Sequence, residues 1–521
     1  MSLENISPWK VAEDTPDKVA ILFEDTGGSQ TYGQMVSNAN RLANHLISSG
    51  LKQGDCISIF LENNLRYLEV VWAAKIAGLY YVCIGRQLNA PDVSYVVQNS
   101  LSKVLISSAE MAPVALEVAA ALNGKVALLM MDGATAPYQS YEDAVAAQPD
   151  TMPTGRVRGA SMLYTSGTTG RPKGVRHDLT DASPHTAPPR HTMLIQEYGY
   201  SPQTVFLNLG PFYHTGPLRI MMHAQRTGAT VVGFKKFNAS RALAAIGKHR
   251  VTFGLFVPTM FVRFLALPET EQQAADTSSL TYALHIAAPC SIAVKERMIE
   301  WWGPIIYEMY GGTESIGTTT INSQDWLTHK GSVGRASLGT EVHIVGEDGQ
   351  ECPPNTPGLV YLTNGKTFEY FNDPGKTDES RHPKGWNTLG DIGKLDEDGF
   401  LYLTDRKSNL IISGGVNIYP QESENVLTGH PMVRDVAVIG VPNPDFGEEV
   451  KALVVPNFTL APEYETAFAD ELIDYCRSHL SKVKCPRSVD FVPDLPRSEA
   501  GKILKAELRK TYWPEGQSLV L

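Results

Sequence analysis

Short apolar runs alternate with helical spacing along the first quarter of the chain. Val19-Ala20-Ile21-Leu22-Phe23 reads as a strand, and Met35, Ala39, Leu42 and Leu46 then share one helical face that ends at Gly50. Cys56-Ile57-Ser58-Ile59-Phe60 predicts a second strand, residues 66–77 a helix, and Tyr80 to Ile84 a further strand. Val104-Leu105-Ile106 and Val126-Ala127-Leu128-Leu129-Met130 continue the series. Strands that are apolar on both faces and separated by helices imply a mainly parallel sheet. Residues 131–160 are polar, punctuated by Gly, Pro and Asp, and read as a linker over the surface. Residues 178–190 are loop-like as well.

A second alternating series runs from 204 to 309. Its strands include Val205-Phe206-Leu207, Ala229-Thr230-Val231-Val232, Phe253-Gly254-Leu255-Phe256 and Ala283-Leu284-His285-Ile286. The helices between them are expected near 217–227, 239–249, 259–266 and 292–302. The texture changes from 332 to 404, where short runs such as Val342-His343-Ile344-Val345 sit between Gly, Asp and Pro turns. That pattern predicts a small antiparallel barrel or sheet. A compact α+β stretch follows residue 405. The expected fold class is α/β. A large N-terminal body holds two α/β subdomains and a small β-barrel, and a smaller α+β domain follows.

Composition narrows the partners. A hydrophobic share of 43% and a charged share of 19% are those of a chain that buries an ordinary globular core. The net charge of −11 speaks against a nucleic-acid partner. Six cysteines without a CxxC pair fit reduced thiols in a cytoplasm. The N-terminus has Glu4, Lys10, Glu13 and Asp14 and no apolar run, so no secretory signal is expected. The most apolar stretch, 66–85, carries Arg66, Glu69 and Lys75, which argues against a membrane span and leaves peripheral contact open.

The chemistry concentrates at four places. Residues 164–174 read YTSGTTGRPKG. Gly167, Gly170 and Gly174 let this loop fold back on itself. Its free N–H groups, the hydroxyls of Thr165, Ser166, Thr168 and Thr169, and the charge of Lys173 make a cradle for phosphate. It is not the Walker loop, which places Ser or Thr directly after Gly-Lys. In YGGTE at 310–314, Gly311 and Gly312 allow close backbone approach, Thr313 offers a hydroxyl to a phosphate, and Glu314 offers a hard oxygen to Mg²⁺. In LGDIG, Asp391 sits at a turn where a carboxylate accepts from two ribose hydroxyls. Gly414 and Gly415 form a tight bend after a predicted strand.

The string at 164–174 resembles the signature of the adenylate-forming superfamily, which includes acyl-CoA synthetases, firefly luciferases and peptide-synthetase adenylation domains. The resemblance covers essentially the whole chain, with its stations in order: phosphate loop, the PFYHTGP segment around His214, YGGTE, the Gly-Asp at Asp391, the Asp-Arg at Arg406, Ser-Gly-Gly and Gly-Lys. It implies that Thr165, Ser166, Gly167, Thr168, Thr169, Gly170 and Lys173 hold the ATP phosphates. Ala288, Pro289, Tyr310, Gly311 and Gly312 would border the nucleotide, with Tyr310 stacked near adenine. Thr313 would meet the α-phosphate, Glu314 would hold magnesium, and Asp391 and Arg406 would bind the ribose. The resemblance divides the chain into a body at 1–404, a hinge at 405–409 and a mobile domain at 410–521. Ser408 stands at the hinge where many relatives have Asp or Lys. Gly414 and Gly415 would line the pantetheine path once that domain has rotated. Lys502 matches the catalytic lysine of a P-x-x-x-x-G-K pattern beginning at Pro496. The implied catalytic set is Lys502, Glu314, Thr165 and His214, the last in a gating or positioning role beside the acyl pocket.

The implied reaction has two halves. A carboxylate attacks the α-phosphate of MgATP and expels pyrophosphate, and a thiol then attacks the acyl-adenylate and releases AMP. Peptide-synthetase domains for α-amino acids carry an Asp in a segment near FDAS. Here Asn238 replaces it, which disfavours an amino acid. No carrier domain is read after residue 521, so free CoA is the expected acceptor. Leu218, Phe256 to Met260 and Ala287 to Cys290 form an apolar expected acyl wall, predicting a hydrophobic medium-to-long or ring-bearing acid. Arg219 and Arg263 leave a polar distal group open. The competing readings are an enzyme that loads a separate carrier protein, a luciferase-like oxygenase, and a non-enzymatic nucleotide-binding module. The expected partners are the acid, ATP and CoA, with a homodimer left open.

Overall fold

The computed structural model describes residues 6–165, 172–187, 189–406, 409–498 and 501–513, with the main chain alone at 189, 190, 192–194 and 406. Within them, two helix-flanked sheets make up most of the larger N-terminal part. One has the strand order Gln139–Ser140, Ala127–Met131, Ser102–Ser108, Cys56–Phe60, Tyr80–Cys83, Ala160–Ser161, and every neighbouring pair is parallel. Cys56–Phe60 is buried at all five positions, as a continuous apolar run in a two-sided sheet requires. The helix Tyr67–Ile76 covers it and is itself almost wholly buried.

The second sheet has nine strands. Its parallel centre runs Val19–Phe23, Thr230–Gly233, Val205–Asn208, Phe253–Phe256, Tyr282–His285, Ile306–Gly311. Antiparallel strands Ser29–Thr31 at one end, and Thr318–Ile321 with Arg335–Ser337 at the other, close its edges.

Two expectations change here. The run Val19–Phe23 does not continue into the sheet of Cys56–Phe60; Ile21 pairs with Val231 in the second sheet. An apolar run states that a strand is buried but not which neighbour it takes. The choice is made by long-range contacts, such as the Tyr32 hydroxyl donating to the carbonyls of Gln225 and Ala229 at 3.0 and 2.7 Å. Residues 131–160 are not merely a surface linker. They contain the helix Tyr141–Ala146, capped by Ser140, whose Tyr141 and Val145 are buried. The helix Tyr32–Ser48 follows the sequence closely: Thr31 and Gln34 form a reciprocal cap, and Met35, Ala39, Leu42 and Leu46 face the core.

A four-stranded antiparallel sheet follows, ordered Glu341–Val345, Gly358–Thr363, Asn387–Leu395, Leu401–Arg406. The smaller C-terminal part is built on five strands with the helices Pro420–Thr428, Glu465–His479 and Lys505–Lys510. All six cysteines are free thiols. Among the described residues no helix is long and apolar enough to cross a membrane.

Candidate active site

Tyr310 lies near the end of a strand of the second sheet, with Thr313 and Glu314 just beyond it, and hydrogen bonds join this segment to Asp391 of the four-stranded sheet and to Tyr370, whose strand pairs with Lys173–Arg176. Tyr310, near the end of Ile306–Gly311, donates its hydroxyl to Asp391 Oδ2 at 2.7 Å. Asp391 is 6% exposed and is the cross-strand partner of Arg406. Residues 81 positions apart in the chain are thus within a hydrogen bond, joining the expected adenine and ribose stations.

Thr313 Oγ1 lies 2.9 Å from Thr215 Oγ1, at the start of the helix Thr215–Arg226. Two non-glycine residues beside this point have left-handed backbones, Ser315 at φ +54° and Ala287 at φ +77°. Such conformations cost on the order of 1–3 kcal/mol each and persist where surrounding contacts impose them. At Ser315 those contacts are visible. Its N–H donates to Gly312 O at 3.1 Å, Asn364 Nδ2 donates to its carbonyl at 2.9 Å, and Arg219 donates to its Oγ.

Arg219, which the sequence leaves open to a polar distal group, is bonded to the YGGTE turn. Its guanidinium also reaches Thr313 O at 3.4 Å and Ser161 Oγ at 3.3 Å. It therefore links the strand before the phosphate loop to the YGGTE turn. The signal was its place four residues after Thr215, on the same helical face. Arg263 is held elsewhere, 5.7 Å over the Phe237 ring.

Glu314 is 7% exposed and accepts from the Tyr370 hydroxyl at 2.8 Å on Oε1. Its Oε2 faces Gly312, where an added Cβ would come within 2.6 Å of it. Among the described residues no cationic side chain pairs with Glu314, and no group of three or more His, Cys, Asp and Glu side chains gathers to hold a metal. A buried carboxylate without a cation fits Mg²⁺, which takes one or two protein carboxylates plus phosphate oxygens and water.

Thr165 and Lys173 are cross-strand partners in the hairpin that carries the phosphate loop. Ser166, Gly167, Thr168, Thr169 and Gly170 lie outside the described residues, as does Ser408 at the hinge. Lys173 is 2.9 Å from Asp373 and holds that carboxyl below its usual range. Neither Tyr370 nor Asp373 carried any sequence signal. Ala288 and Pro289 follow the strand Tyr282–His285 and precede the helix Ile292–Trp302. Leu218 and Phe256, expected to wall the acyl pocket, are packed into the two large core clusters.

His214 caps the helix Thr215–Arg226 through its main chain only. Its ring lies 4.3 Å from that of Tyr213, and Nε2 has no hydrogen-bond partner. Burial lowers its pKa to about 4, so the ring is neutral at pH 7. His191 is fully buried against His223, Nδ1 to Nδ1 2.9 Å, and burial lowers it to about 3. In an unfolded chain both would bind protons below about pH 6.5, whereas the folded protein would not. Stability is therefore fully present above pH 6.5 and falls as pH drops towards 4, by up to about 1.4 kcal/mol per pH unit for the fully buried ring. His191→Leu should flatten the decline of the thermal midpoint between pH 7 and pH 5. A slope equal to wild type would show that His191 titrates normally in the fold.

In the C-terminal part, Gly414 and Gly415 turn the hairpin between Ile411–Ser413 and Val416–Ile418, with φ of +57° and +80°. Lys502 lies in a second hairpin loop, where its main-chain N–H donates to Ser498 Oγ at 3.2 Å. Gly501 beside it touches the larger part: an added Cβ would be 2.5 Å from Thr259 Oγ1.

The Tyr–Asp pair, the hairpin of Thr165 and Lys173 and the buried Glu314, with a smaller C-terminal part bearing Lys502, are the arrangement expected of an adenylate-forming enzyme. The sequence profile of the AMP-binding enzyme family matches residues 9–369, and that of the AMP-binding enzyme C-terminal domain matches 422–502. The chain is 32% identical over 502 residues to the long-chain-fatty-acid–CoA ligase FadD13 of Mycobacterium tuberculosis, covering 96% of each chain. It is 32% identical to the feruloyl-CoA synthase of an Amycolatopsis species, covering 98% of this chain and all of that one. The ATP-bound crystal structure of MatB from Rhodopseudomonas palustris superposes with a TM-score of 0.83 at 28% identity, covering 98% of this chain and 99% of that one. The chain belongs to the AMP-binding enzyme family, and it is an AMP-forming acyl-CoA ligase.

Proposed function

We propose that the chain activates a carboxylic acid with an apolar body, medium-to-long or ring-bearing, as its acyl-adenylate and passes the acyl group to CoA. The observation that carries this reading is the hydrogen-bonded Tyr310–Asp391 pair, set opposite Arg406 and on the strand that leads into Thr313 and Glu314. Tyr310 borders adenine, Asp391 and Arg406 hold the ribose, and Thr313 meets the α-phosphate. Thr165 and Lys173 flank the β- and γ-phosphates. Glu314 would hold Mg²⁺, which supplies charge neutralisation on the phosphates when bound. The small residues Ala287, Ala288, Gly311 and Gly312 leave space for the acid.

The acid is ionised at pH 7, so no general base is required. Its oxygen forms a bond to the α-phosphorus as the bond to pyrophosphate breaks. Catalysis is then positioning and charge stabilisation. In the second half the thiolate of CoA bonds to the acyl carbon and AMP leaves. The hinge at 405–409 lets the domain from 410 onward rotate between the halves, taking Lys502 away and bringing Gly414 and Gly415 to the pantetheine path. His214, neutral and with Nε2 unbonded, shapes the entry of the acyl group and moves no proton.

Pyrophosphate release from MgATP, measured over short, medium and long fatty acids, aryl acids and amino acids with and without CoA, tests the reading. CoA-dependent turnover on apolar acids and none on amino acids is expected. Release that ignores CoA would transfer the second half-reaction to a carrier protein, and turnover confined to amino acids would overturn the substrate class. Asp391→Asn should raise the KM for ATP about tenfold or more, the weight of one charge-assisted hydrogen bond to the ribose. An unchanged KM would remove Asp391 from the nucleotide site.

A further inference from the structure

The inner end of the helix Thr215–Arg226 carries positive charge that none of these roles uses. Arg219 and Arg226 are seven residues apart, two turns and about 10 Å along one helical face. Arg226 is 3% exposed, with its guanidinium 5.1 Å over the Trp72 ring and one hydrogen bond to Ile6 O at 3.4 Å. Lys75, from the helix Tyr67–Ile76, places its ammonium 5.9 Å from the centre of the Tyr81 ring. Arg158 joins them through the main chain, where the N–H of Gly159 donates to Lys75 O at 2.8 Å, and its own guanidinium donates to Thr186 O at 2.6 Å. Ser161 connects the group to the active site, because it is the cross-strand partner of Tyr81 and accepts from Arg219 at 3.3 Å.

Among the described residues no carboxylate forms an ion pair with Lys75, Arg158 or Arg226. Burial and the repulsion of Arg226, Arg158 and Arg219 push Lys75 well below the usual lysine range. Arg226 is lowered to about 10 for the same reasons, burial first and Arg158 second. Lys75 and Arg158 are half-buried, so both keep accessible surface. A buried group of like charges is strongly unfavourable until an anion completes it.

We propose that Lys75, Arg158 and Arg226 form the distal subsite of the acyl pocket and bind a second anionic group of the substrate, an acid whose apolar body ends in another carboxylate. The inference rests on the ligase reading above. The activated carboxylate lies at the Thr313 end of the helix and the distal one near its Arg226 end. The aromatic faces of Trp72 and Tyr81 flank the far end. An anion there favours the charged form of Lys75 and supplies the counter-charge that Lys75, Arg158 and Arg226 lack among the described residues.

The test uses the full-length enzyme and matched pairs of straight-chain acids, each monocarboxylic acid against the α,ω-dicarboxylic acid of equal length. At the best length the dicarboxylate should exceed its partner in kcat/KM by tenfold or more, as polar sites discriminate against analogues that leave them unpaired: about tenfold is the threshold. Lys75→Met and Arg158→Met should each lower the dicarboxylate-to-monocarboxylate ratio about 30-fold. The ratio does not depend on how much of a variant is folded, and the wild-type comparison needs no variant. Turnover of monocarboxylates with no dicarboxylate preference at any length would overturn the inference and leave the ligase reading standing. So would a preference that both variants retain. No pyrophosphate release from any acid would overturn both.

Discussion

Lys502→Ala should slow acyl-adenylate formation by roughly a thousandfold while sparing transfer from supplied acyl-adenylate to CoA. The size follows from one ammonium about 4 Å from the reacting oxygens, worth on the order of 4 kcal/mol at an effective dielectric near 20, if it acts only in the transition state. The structure gives the lysine a stiff mount. Ser498 N–H donates to Lys502 O at 2.9 Å, Leu504 N–H donates to Pro496 O at 2.9 Å, and Arg497 pairs across the loop with Ile503. The Arg497 guanidinium binds Asp435 at 2.7 and 2.9 Å and Gly501 O at 2.5 Å, fixing the loop to the C-terminal sheet. Gly501, at φ +80°, is packed on Thr259 of the larger part, so a side chain there would be strained and crowded. Because the substitution deletes only the side-chain atoms beyond Cβ, the main-chain bonds of the loop survive it. Equal loss in both half-reactions, with an unchanged thermal midpoint, would show that Lys502 supports the fold of the site rather than its chemistry.

Lys502 stands out in the sequence because Pro496, Gly501 and Lys502 lie close together. Tyr310 and Asp391 stand out in short glycine-bearing motifs, and the structure joins these two by a hydrogen bond. Tyr370 and Asp373 were not legible as site residues, nor were the bonds of Arg219 to the YGGTE turn. Each acts through one long-range bond: Tyr370 to Glu314, Asp373 to Lys173, and Arg219 to Ser161 and Ser315. Local pattern does not encode such pairings. The strands and helices were read well wherever period and length agreed, as in Tyr32–Ser48 and Cys56–Phe60. The placement of Val19–Phe23 was missed because every buried parallel strand has the same apolar texture, and its partner at Thr230–Gly233 is about two hundred residues away, a separation over which periodicity carries no information. Leu218 and Phe256 show the converse error. Large apolar residues beside a catalytic motif are more often core than pocket, and both are 1% exposed or less.

Lys295→Met should destabilise the protein by about 3–5 kcal/mol, because it leaves Glu308 buried without its cation. Lys295 is fully buried on the helix Ile292–Trp302, with Nζ 2.6 Å from Glu308 Oε2 and 4.8 Å from the centre of the Trp326 ring. His285 lies 3.4 Å from the same oxygen, but burial, the larger cause pushing its pKa well down, remains when Lys295 is gone and opposes its taking over the pairing. Glu308 is on the strand Ile306–Gly311, two residues before Tyr310, which makes the pair an internal anchor for the strand that delivers Tyr310, Thr313 and Glu314. Burial already raises the Glu308 pKa, and loss of Lys295 would raise it further. A folded carboxyl that binds its proton more tightly than the unfolded chain penalises folding above its folded pKa, and the penalty disappears towards the unfolded value near 4.3. The stability gap between wild type and Lys295→Met should therefore narrow as pH falls from 8 to 5, although the buried histidines weaken both proteins over that range. Adding Glu308→Leu should recover most of the loss at pH 8, because an apolar pair of similar volume removes both desolvated charges. Urea midpoints of the three proteins at the two pH values check this. A single-variant loss below about 1 kcal/mol, or a gap that widens in acid, would show that the pair does not anchor the strand.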